Sequence, residues 1–244
     1  MESKNQLLGS TTIQSLPISI PGVLIINSKS QEGKSHFIKY AMHELQDKID
    51  YVIGISRTAM DEGNLVFIPK KFKFTSWPGN KTKQFPKGET KHALMNLIDE
   101  QLKIPKNIRP VAAVVIEDEY NSLRDPLLME IASRPYHYNI WLVIAVNWVN
   151  KVCPDIREGA WQVVLFKITS KKGLEAAYEA YGEEFWDFKA FAKKLHDNTG
   201  GYRFMYRNLK GKDNNEAAWR CYKAPSVIPN FVIQPRHLRE EMEE

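Results

Sequence analysis

One segment near the N-terminus constrains the fold of this chain more than any other. Residues 22–27, GVLIIN, form a short, β-branched apolar run that is typical of a buried parallel strand. Residues 28–35, SKSQEGKS, follow at once, and from Lys34 to Leu45 the apolar residues recur at helical spacing. This order of strand, loop and helix is the context that the P-loop pattern requires, with Ser28 where the pattern has its first glycine. The sequence therefore predicts a phosphate-binding loop.

The residue types of this loop fit the chemistry of a bound nucleotide. Backbone N–H groups at the start of a helix, where the helix dipole is positive, can cradle phosphate oxygens. The residues predicted to contact the phosphates of ATP are Ser30, Gln31, Glu32, Gly33, Lys34, Ser35 and His36. Lys34 is also predicted to act in catalysis, by placing its charge on the β- and γ-phosphates, and the Ser35 hydroxyl to reach Mg²⁺. An ordinary strand-to-helix turn is the alternative interpretation.

A second buried strand ends in three acidic residues. Residues 111–116, VAAVVI, run directly into Glu117, Asp118 and Glu119. In P-loop enzymes, the corresponding strand ends in an Asp that holds Mg²⁺, and an adjacent Glu can accept a proton from the attacking water. We predict the metal role for Asp118 and the general-base role for Glu119. Because side chains alternate along a strand, a shift of one residue would give the metal role to Glu117 instead, and a solvated acidic loop is a further alternative.

Three more polar residues are catalytic candidates. Asn147 follows the apolar run at 140–146 and is predicted to hold the attacking water or to contact the γ-phosphate, or else to cap the following turn. Arg134 and Arg157 lie downstream of the acidic strand. Each is a candidate for an arginine that stabilises charge on a neighbouring subunit's γ-phosphate, or for an ordinary surface ion-pair partner.

Positive charge is concentrated in one region of the chain. The formal net charge is +5, which favours polyanionic partners. Seven lysines crowd one stretch, with aromatic residues between them: Lys70, Lys71, Lys73, Lys81, Lys83, Lys87 and Lys91. This composition suits contact with a nucleic-acid backbone, and DNA contacts are predicted at Lys81, Lys83 and Lys87. A solvated basic loop is the alternative interpretation.

The remaining patterns predict the fold class and the organisation of the chain. Strands alternate with helices, which predicts an α/β fold with a mainly parallel sheet, helices on both faces and a C-terminal β-hairpin. We expect an extended lead-in at 1–21, one domain at 22–225 and a tail at 226–244. No apolar run approaches the ~20 residues that span a bilayer, so no membrane span is expected. Two cysteines without metal-ligand spacing indicate a reducing compartment.

Taken together, these stretches resemble the FtsK–HerA superfamily of P-loop ATPases, and within it the genome-packaging ATPases of large DNA viruses and virophages. The resemblance covers roughly residues 20–225. It rests on the loop segment, on DYVIGISRTAM with a later Trp-Pro, on VVIEDEY, and on SRPYHYNIWLVIAVNWVNKVCPDIR before VVLFK. It implies a RecA-like sheet, a homo-oligomeric ring, and ATP-driven translocation of double-stranded viral DNA into a preformed capsid. A capsid or portal component is then a partner, and the host cytoplasm, the viral factory or the virion is the location.

The resemblance carries over residue by residue. Lys34 and Ser35 match the phosphate-loop pair of the family, and Asp118 and Glu119 match its acidic pair. Asn147 falls where relatives have a polar sensor. The alternatives are another P-loop DNA-dependent ATPase, of the helicase or DNA-pairing type, and a non-catalytic nucleotide-binding scaffold. The chain shows no helicase accessory motif, which disfavours the first, and retention of the lysine and the acidic pair disfavours the second.

Overall fold

The described part of the chain builds one nine-stranded sheet. The computed structural model describes residues 11–12, 17–61, 63–77, 89–211 and 218–234. The strands, in chain order, are β1 Thr11–Thr12, β2 Gly22–Asn27, β3 Tyr51–Ser56, β4 Lys73–Phe74, β5 Ala112–Glu117, β6 Ile140–Val146, β7 Gln162–Leu165, β8 Arg203–Asn208 and β9 Arg220–Lys223. Their order across the sheet is β1-β9-β8-β7-β2-β6-β5-β3-β4.

The sheet is parallel except around one strand. Strand β8 pairs antiparallel with both β7 and β9, and every other neighbouring pair is parallel. The prediction of a mainly parallel α/β sheet with a C-terminal β-hairpin is therefore confirmed. The central strands β2, β5 and β6 are buried at every residue, as the continuous apolar runs predict for strands covered on both faces.

Seven α-helices cover the sheet in the described residues. They are α1 Lys34–Leu45, α2 Glu89–Lys103, α3 Pro126–Ser133, α4 Pro135–Tyr138, α5 Pro154–Glu158, α6 Lys171–Tyr181 and α7 Phe188–Asn198. Alternate residues of β2 belong to the two separate cores, with Val23 and Ile25 on one face and Leu24 and Ile26 on the other. Helices α2, α3, α6 and α7 pack on the first face and α1 packs on the second.

The segments on either side of the predicted domain also belong to this architecture. Strand β1 pairs with β9, and Ile228 and Ile233 are buried in the core beside α1. The backbone N–H of Ile233 donates to the carbonyl of Phe67 at 2.9 Å. The boundaries near residues 21 and 226 remain a prediction. Within the described residues, no helix combines the length and the apolar character needed to cross a bilayer.

Parallel pairing brings the carboxyl ends of β2, β3, β5, β6 and β7 to one edge of the sheet. The loop that precedes α1 leaves the sheet at this edge, as do the acidic residues after β5 and the polar residue after β6. Ligands of open α/β sheets bind in the crevice at this edge. The fold therefore determines where a functional site can form.

One carboxylate holds together the segment after β4, helix α2 and helix α3. Asp125 caps α3 by accepting a hydrogen bond from the Leu127 N–H at 2.9 Å, and it accepts two more from Trp77 Nε1 at 3.0 Å and Lys91 Nζ at 3.2 Å. Burial raises the pKa of the Asp125 carboxyl, but the three hydrogen bonds outweigh burial and the net pKa lies below its ordinary value.

Replacing this carboxylate should destabilise the fold in a pH-dependent way. We expect Asp125→Ala to lower the free energy of unfolding by about 1–3 kcal/mol at pH 7, because a helix cap and two further hydrogen bonds are removed. Since the folded pKa lies below the unfolded value of about 3.9, the contribution is present above that value and is lost as the pH falls through the folded pKa. Urea unfolding at pH 7 and in acid measures both effects.

The matched control is Asp155→Ala, which removes an exposed acidic side chain from the first turn of α5 without removing a side-chain cap. An equal loss of stability in the two variants, or a loss in Asp125→Ala that is no smaller in acid than at pH 7, would contradict the assignment.

Candidate functional site

The loop between β2 and α1 bends through two residues in the left-handed region. Gln31 has φ of 67° and Gly33 has φ of 107°. A Cβ atom on Gly33 would lie 3.0 Å from Cδ1 of Tyr202 and 3.3 Å from Cε1 of Phe166. A side chain at this position therefore meets both an unfavourable backbone conformation and two aromatic rings, which explains the glycine.

Ser28 occupies the position where the P-loop pattern has its first glycine. It is fully buried, its N–H donates to the carbonyl of Val146 at 3.0 Å, and its hydroxyl donates to the carbonyl of Lys29 at 2.9 Å. Ser28 is not among the described residues with positive φ. Because the backbone here requires no left-handed conformation, the serine fits without strain.

Lys34, the first residue of α1, contacts the loops that follow β5 and β6. Its Nζ donates to Oδ2 of Asp118 at 2.5 Å and to Oδ1 of Asn147 at 3.2 Å. The hydroxyl of Tyr120 donates to Oδ1 of Asp118 at 3.3 Å and accepts from the Asn147 N–H at 3.2 Å. Lys34 is buried, and a buried ammonium needs a counter-charge and hydrogen-bond acceptors, which the loops after β5 and β6 supply.

Ser35 and Glu117 form the second polar contact of the site. The Ser35 hydroxyl donates to Oε1 of Glu117 at 2.5 Å, and Oε2 of Glu117 is buried with no hydrogen-bond partner among the described residues. Burial raises the pKa of Glu117 most and the charge of Asp118 raises it further. The Ser35 hydrogen bond, the Lys34 charge and the Asn64 side chain lower it, and the net pKa is above the ordinary value.

These residues line a cavity of about 650 Å³ at the carboxyl edge of the sheet. Every predicted phosphate contact except Glu32 lines it, as do Glu117, Asp118 and Asn147. The structure thus brings the phosphate loop, two of the three acidic residues and the predicted polar sensor into one space.

Glu119 lies outside the lining of this cavity. Its side chain is 0% exposed, and its Oε1 accepts hydrogen bonds from the N–H of Asn121 at 3.0 Å and from Nδ2 of the same residue at 2.9 Å. Nε of Arg57 lies 3.6 Å from its Oε2. The assignment of Asp118 to the metal and Glu119 to the water stays a prediction. This geometry favours the alternative in which Glu117 takes the metal role, because Glu117 lies beside Ser35.

The other predicted site residues lie elsewhere. Arg134 follows α3 and Arg157 is in α5, and these segments lead into the amino ends of β6 and β7, at the edge opposite the cavity. Neither arginine lines the cavity, so action on a neighbouring subunit's nucleotide remains a prediction. Lys81, Lys83 and Lys87 lie outside the described residues, and their DNA contacts also remain a prediction.

The cavity also has lining residues that sequence reasoning missed, among them Arg57, Tyr120 and Tyr202. Arg57 is the first residue after β3. Residues that follow parallel strands lie at the carboxyl edge of the sheet, so the reasoning that located the acidic residues could have identified Arg57 too. Tyr120 follows those acidic residues closely. Tyr202 precedes the antiparallel strand β8, and no local pattern predicts that this strand starts beside the phosphate loop.

Comparisons with known proteins place this geometry in a known fold. No protein-family model matches the chain, and no curated protein matches it by sequence. Among solved structures, the genome packaging NTPase B204 from Sulfolobus turreted icosahedral virus 2, in complex with ATPγS, matches with a TM-score of 0.56 at 14% identity, over 83% of this chain and 96% of that one.

Two larger proteins also match. The pCW3 conjugation coupling protein TcpA with ATPγS matches with a TM-score of 0.61 at 13% identity, over 91% of this chain and 65% of that one. EssC (ATPases 2 and 3) from Geobacillus thermodenitrificans matches with a TM-score of 0.51 at 9% identity, over 91% of this chain and 43% of that one. The chain has the fold of a P-loop ATPase. The RecA-like expectation is thereby confirmed, and these neighbours agree with the resemblance found in the motifs.

The raised pKa of Glu117 generates a prediction about the nucleotide-free protein. We expect Glu117→Gln to raise the free energy of unfolding at pH 7, because an amide can still accept from Ser35 and carries no buried charge. A raised folded pKa means that the wild type loses stability as the pH rises from about 4.3 through the folded pKa. The advantage of the variant should therefore vanish in acid, as urea unfolding across this pH range would show.

Glu179→Gln, on the exposed face of α6, is the control and should not change the pH dependence. A Glu117→Gln protein that is less stable than the wild type at pH 7 would disprove the proposed cost of the buried carboxylate.

Proposed function

We propose that this protein is an ATP-hydrolysing motor that translocates double-stranded viral DNA into a preformed capsid. The observation that carries the proposal is the convergence of Lys34, Ser35, Glu117, Asp118 and Asn147 on one cavity at the carboxyl edge of a RecA-like sheet. The packaging role is supported by the sequence motifs and by the likeness to B204, a genome packaging NTPase that aligns over 96% of its length.

The charges of the cavity suit the phosphates of ATP. Lys34 is neutralised by Asp118 in this structure, and phosphate oxygens can take over that contact while backbone N–H groups at the start of α1 hold the remaining oxygens. Gly33 carries no side chain that could stand between its backbone and the phosphates. ATP is therefore the proposed substrate.

The residues beside the phosphate loop fit Mg²⁺. Ser35 and Glu117 present hard oxygen donors side by side, and Oε2 of Glu117 is buried without a hydrogen-bond partner among the described residues. The described residues contain no group of three or more His, Cys, Asp or Glu side chains that could hold a metal alone. Mg²⁺ fits such a site because it binds through one or two carboxylates and substrate phosphates. When bound, it neutralises charge that develops on the transferred phosphate.

The geometry also suggests which acid accepts the proton of the attacking water. Once phosphates replace Asp118 on Lys34, the Asp118 carboxylate is free to accept a proton inside the cavity, whereas Glu119 is held against Asn121 away from the cavity lining. We therefore assign the metal role to Glu117 and the general-base role to Asp118. Asn147 follows the neighbouring strand β6, and its Oδ1 orients the ammonium group of Lys34 by accepting a hydrogen bond from it.

Substitution of Lys34, Asp118 and Glu119 tests the nucleotide site and the assignment of the general base. Lys34→Ala should abolish hydrolysis and weaken nucleotide binding. Asp118→Asn should retain nucleotide binding but slow turnover by about 10²–10⁴, the typical loss for a general base, while Glu119→Gln should cause a much smaller loss. Steady-state ATPase assays and separate binding titrations measure these effects. A large loss in a stably folded Glu119→Gln protein with near-normal Asp118→Asn would return the base role to Glu119.

The proposed partners are duplex DNA, further copies of this chain in a ring, and a capsid or portal component, with the host cytoplasm or viral factory as the proposed location. Arg134 and Arg157 lie at the edge opposite the cavity, so either could reach a nucleotide only from a neighbouring copy. This position is compatible with a ring in which each subunit completes the site of the next.

The DNA role predicts a salt-dependent effect of three lysines. ATPase activity should rise with long duplex DNA, and replacing Lys81, Lys83 and Lys87 by alanine should weaken duplex binding for all sequences alike. The log–log salt slope should fall by roughly 0.9 for each phosphate that the protein no longer neutralises, while ATPase activity without DNA survives. Binding titrations at several salt concentrations measure the slope.

The control replaces Lys48, Lys103 and Lys106, exposed lysines on segments that lead into the amino ends of β3 and β5. Unchanged affinity and slope in the first triple variant would remove the DNA role from that loop. Stimulation by single-stranded DNA alone would favour the helicase alternative, and ATP binding without turnover would favour a scaffold.

A further inference from the structure

The turn between α7 and β8 contains an aromatic residue in an unusual backbone conformation. Gly200, Gly201 and Tyr202 follow one another with φ of 104°, 59° and 65°. Glycine adopts left-handed conformations freely, but a tyrosine does so only against a steric cost. A residue that is held in such a conformation is a reason to look for a function at that position.

This turn places the ring of Tyr202 over the phosphate loop. Because β8 runs antiparallel to β7, its first residue lies at the carboxyl edge, and Tyr202 lines the cavity. Its Cδ1 lies 3.0 Å from where a Cβ on Gly33 would be, and its ring centroid is 5.0 Å from that of His36. The residue is 46% exposed, so much of the ring remains accessible.

Backbone contacts from the segment after β9 support this arrangement. The Ala224 N–H donates to the carbonyl of Tyr202 at 3.1 Å, and Nε2 of His36 lies 2.6 Å from the carbonyl oxygen of Pro225. Consecutive residues of one segment thus contact the backbone of Tyr202 and the ring of His36, which lie on different elements.

Phosphate binding does not account for an exposed aromatic ring. Phosphate oxygens need N–H groups and cations, which Lys34 and the start of α1 supply. An aromatic face offers stacking with another flat π-system, and the nucleobase is the flat part of a nucleotide. The ring lies beside Gly33 of the loop and His36 of α1, whereas the charged contacts lie at Lys34 and Asp118.

We propose that Tyr202, with His36 beside it, is the platform on which the base of the bound nucleotide stacks. This inference rests on the proposed nucleotide site and names the residue that holds the base. Stacking is tolerant of base identity, so the platform favours nucleotides over free polyphosphates without selecting strongly among purines.

Two ligands that differ in the nucleoside test the proposal. Calorimetric titrations would compare ATPγS with inorganic tripolyphosphate, both with Mg²⁺, on the full chain. Tyr202→Ala should weaken ATPγS binding by about tenfold, the scale of one base–aromatic stack, and leave tripolyphosphate binding unchanged. Tyr202→Phe, which keeps the ring, should bind both ligands like the wild type.

Two further variants separate binding from folding. Tyr202→Gly removes the ring and also relieves the left-handed conformation, so it should fold at least as stably as the wild type yet bind ATPγS as weakly as Tyr202→Ala. Tyr136→Ala removes a 56% exposed tyrosine from α4, near the opposite edge, and should leave both affinities unchanged.

The outcomes distinguish this inference from the proposed function. Equal weakening of both ligands by Tyr202→Ala would mean that the ring only supports the phosphate loop, and no weakening of either would mean that the base lies elsewhere. Each result overturns the platform while leaving the nucleotide site intact. A wild type that binds neither ligand, or a Lys34→Ala protein that binds both normally, would overturn the proposed function and this inference with it.

Discussion

The charged centre of this protein depends on the register of three neighbouring parallel strands. Asn27 of β2 pairs with Val146 of β6, and Glu117 of β5 pairs with Ala145 of β6, so the three strands end almost level. The next residues continue this alignment, because the Asp118 N–H donates to Ala145 at 2.9 Å. A shift of one residue in either pairing would move an acid away from Lys34 or from Ser35, and the cavity would lose the charges that define it.

The same alignment brings buried charged groups, whose desolvation is unfavourable, into one cavity. A buried ammonium, a buried carboxylate with a raised pKa and a second carboxylate in a left-handed conformation (φ of 51°) lie within one cavity. Burial of charge is tolerated here because Lys34 and Asp118 neutralise each other and Ser35 satisfies one oxygen of Glu117. A ligand that brought phosphates and a divalent cation would add partners for these charges, and its binding would stabilise the folded state by linkage.

The sequence predicted the local parts of this site and left its register open. The strand, the loop and α1 were recognisable because their signals are contiguous, and the parallel sheet followed from alternating strands and helices. Strand β5 is buried at all six residues, so its sequence has no alternation of apolar and polar side chains from which to tell which acid faces Ser35. For that reason the sequence left the register open, with Asp118 and Glu119 as the predicted pair and Glu117 as the alternative for the metal, and Glu117 and Asp118 are the acids that line the cavity.

The parts that were missed depend on contacts between distant segments. Arg57 could have been found by applying the carboxyl-edge rule to β3, but Tyr202 could not, because its position follows from the reversal of β8 against β7. A further parallel strand beside β7 would begin at the amino edge, whereas an antiparallel strand begins where the phosphate loop lies. The hairpin of β8 and β9 therefore does more than cover the sheet. The turn before β8 places the ring of Tyr202 beside Gly33, and the segment after β9 contacts the Tyr202 carbonyl through Ala224 and the His36 ring through Pro225, so the C-terminal strands position one lining residue of the cavity.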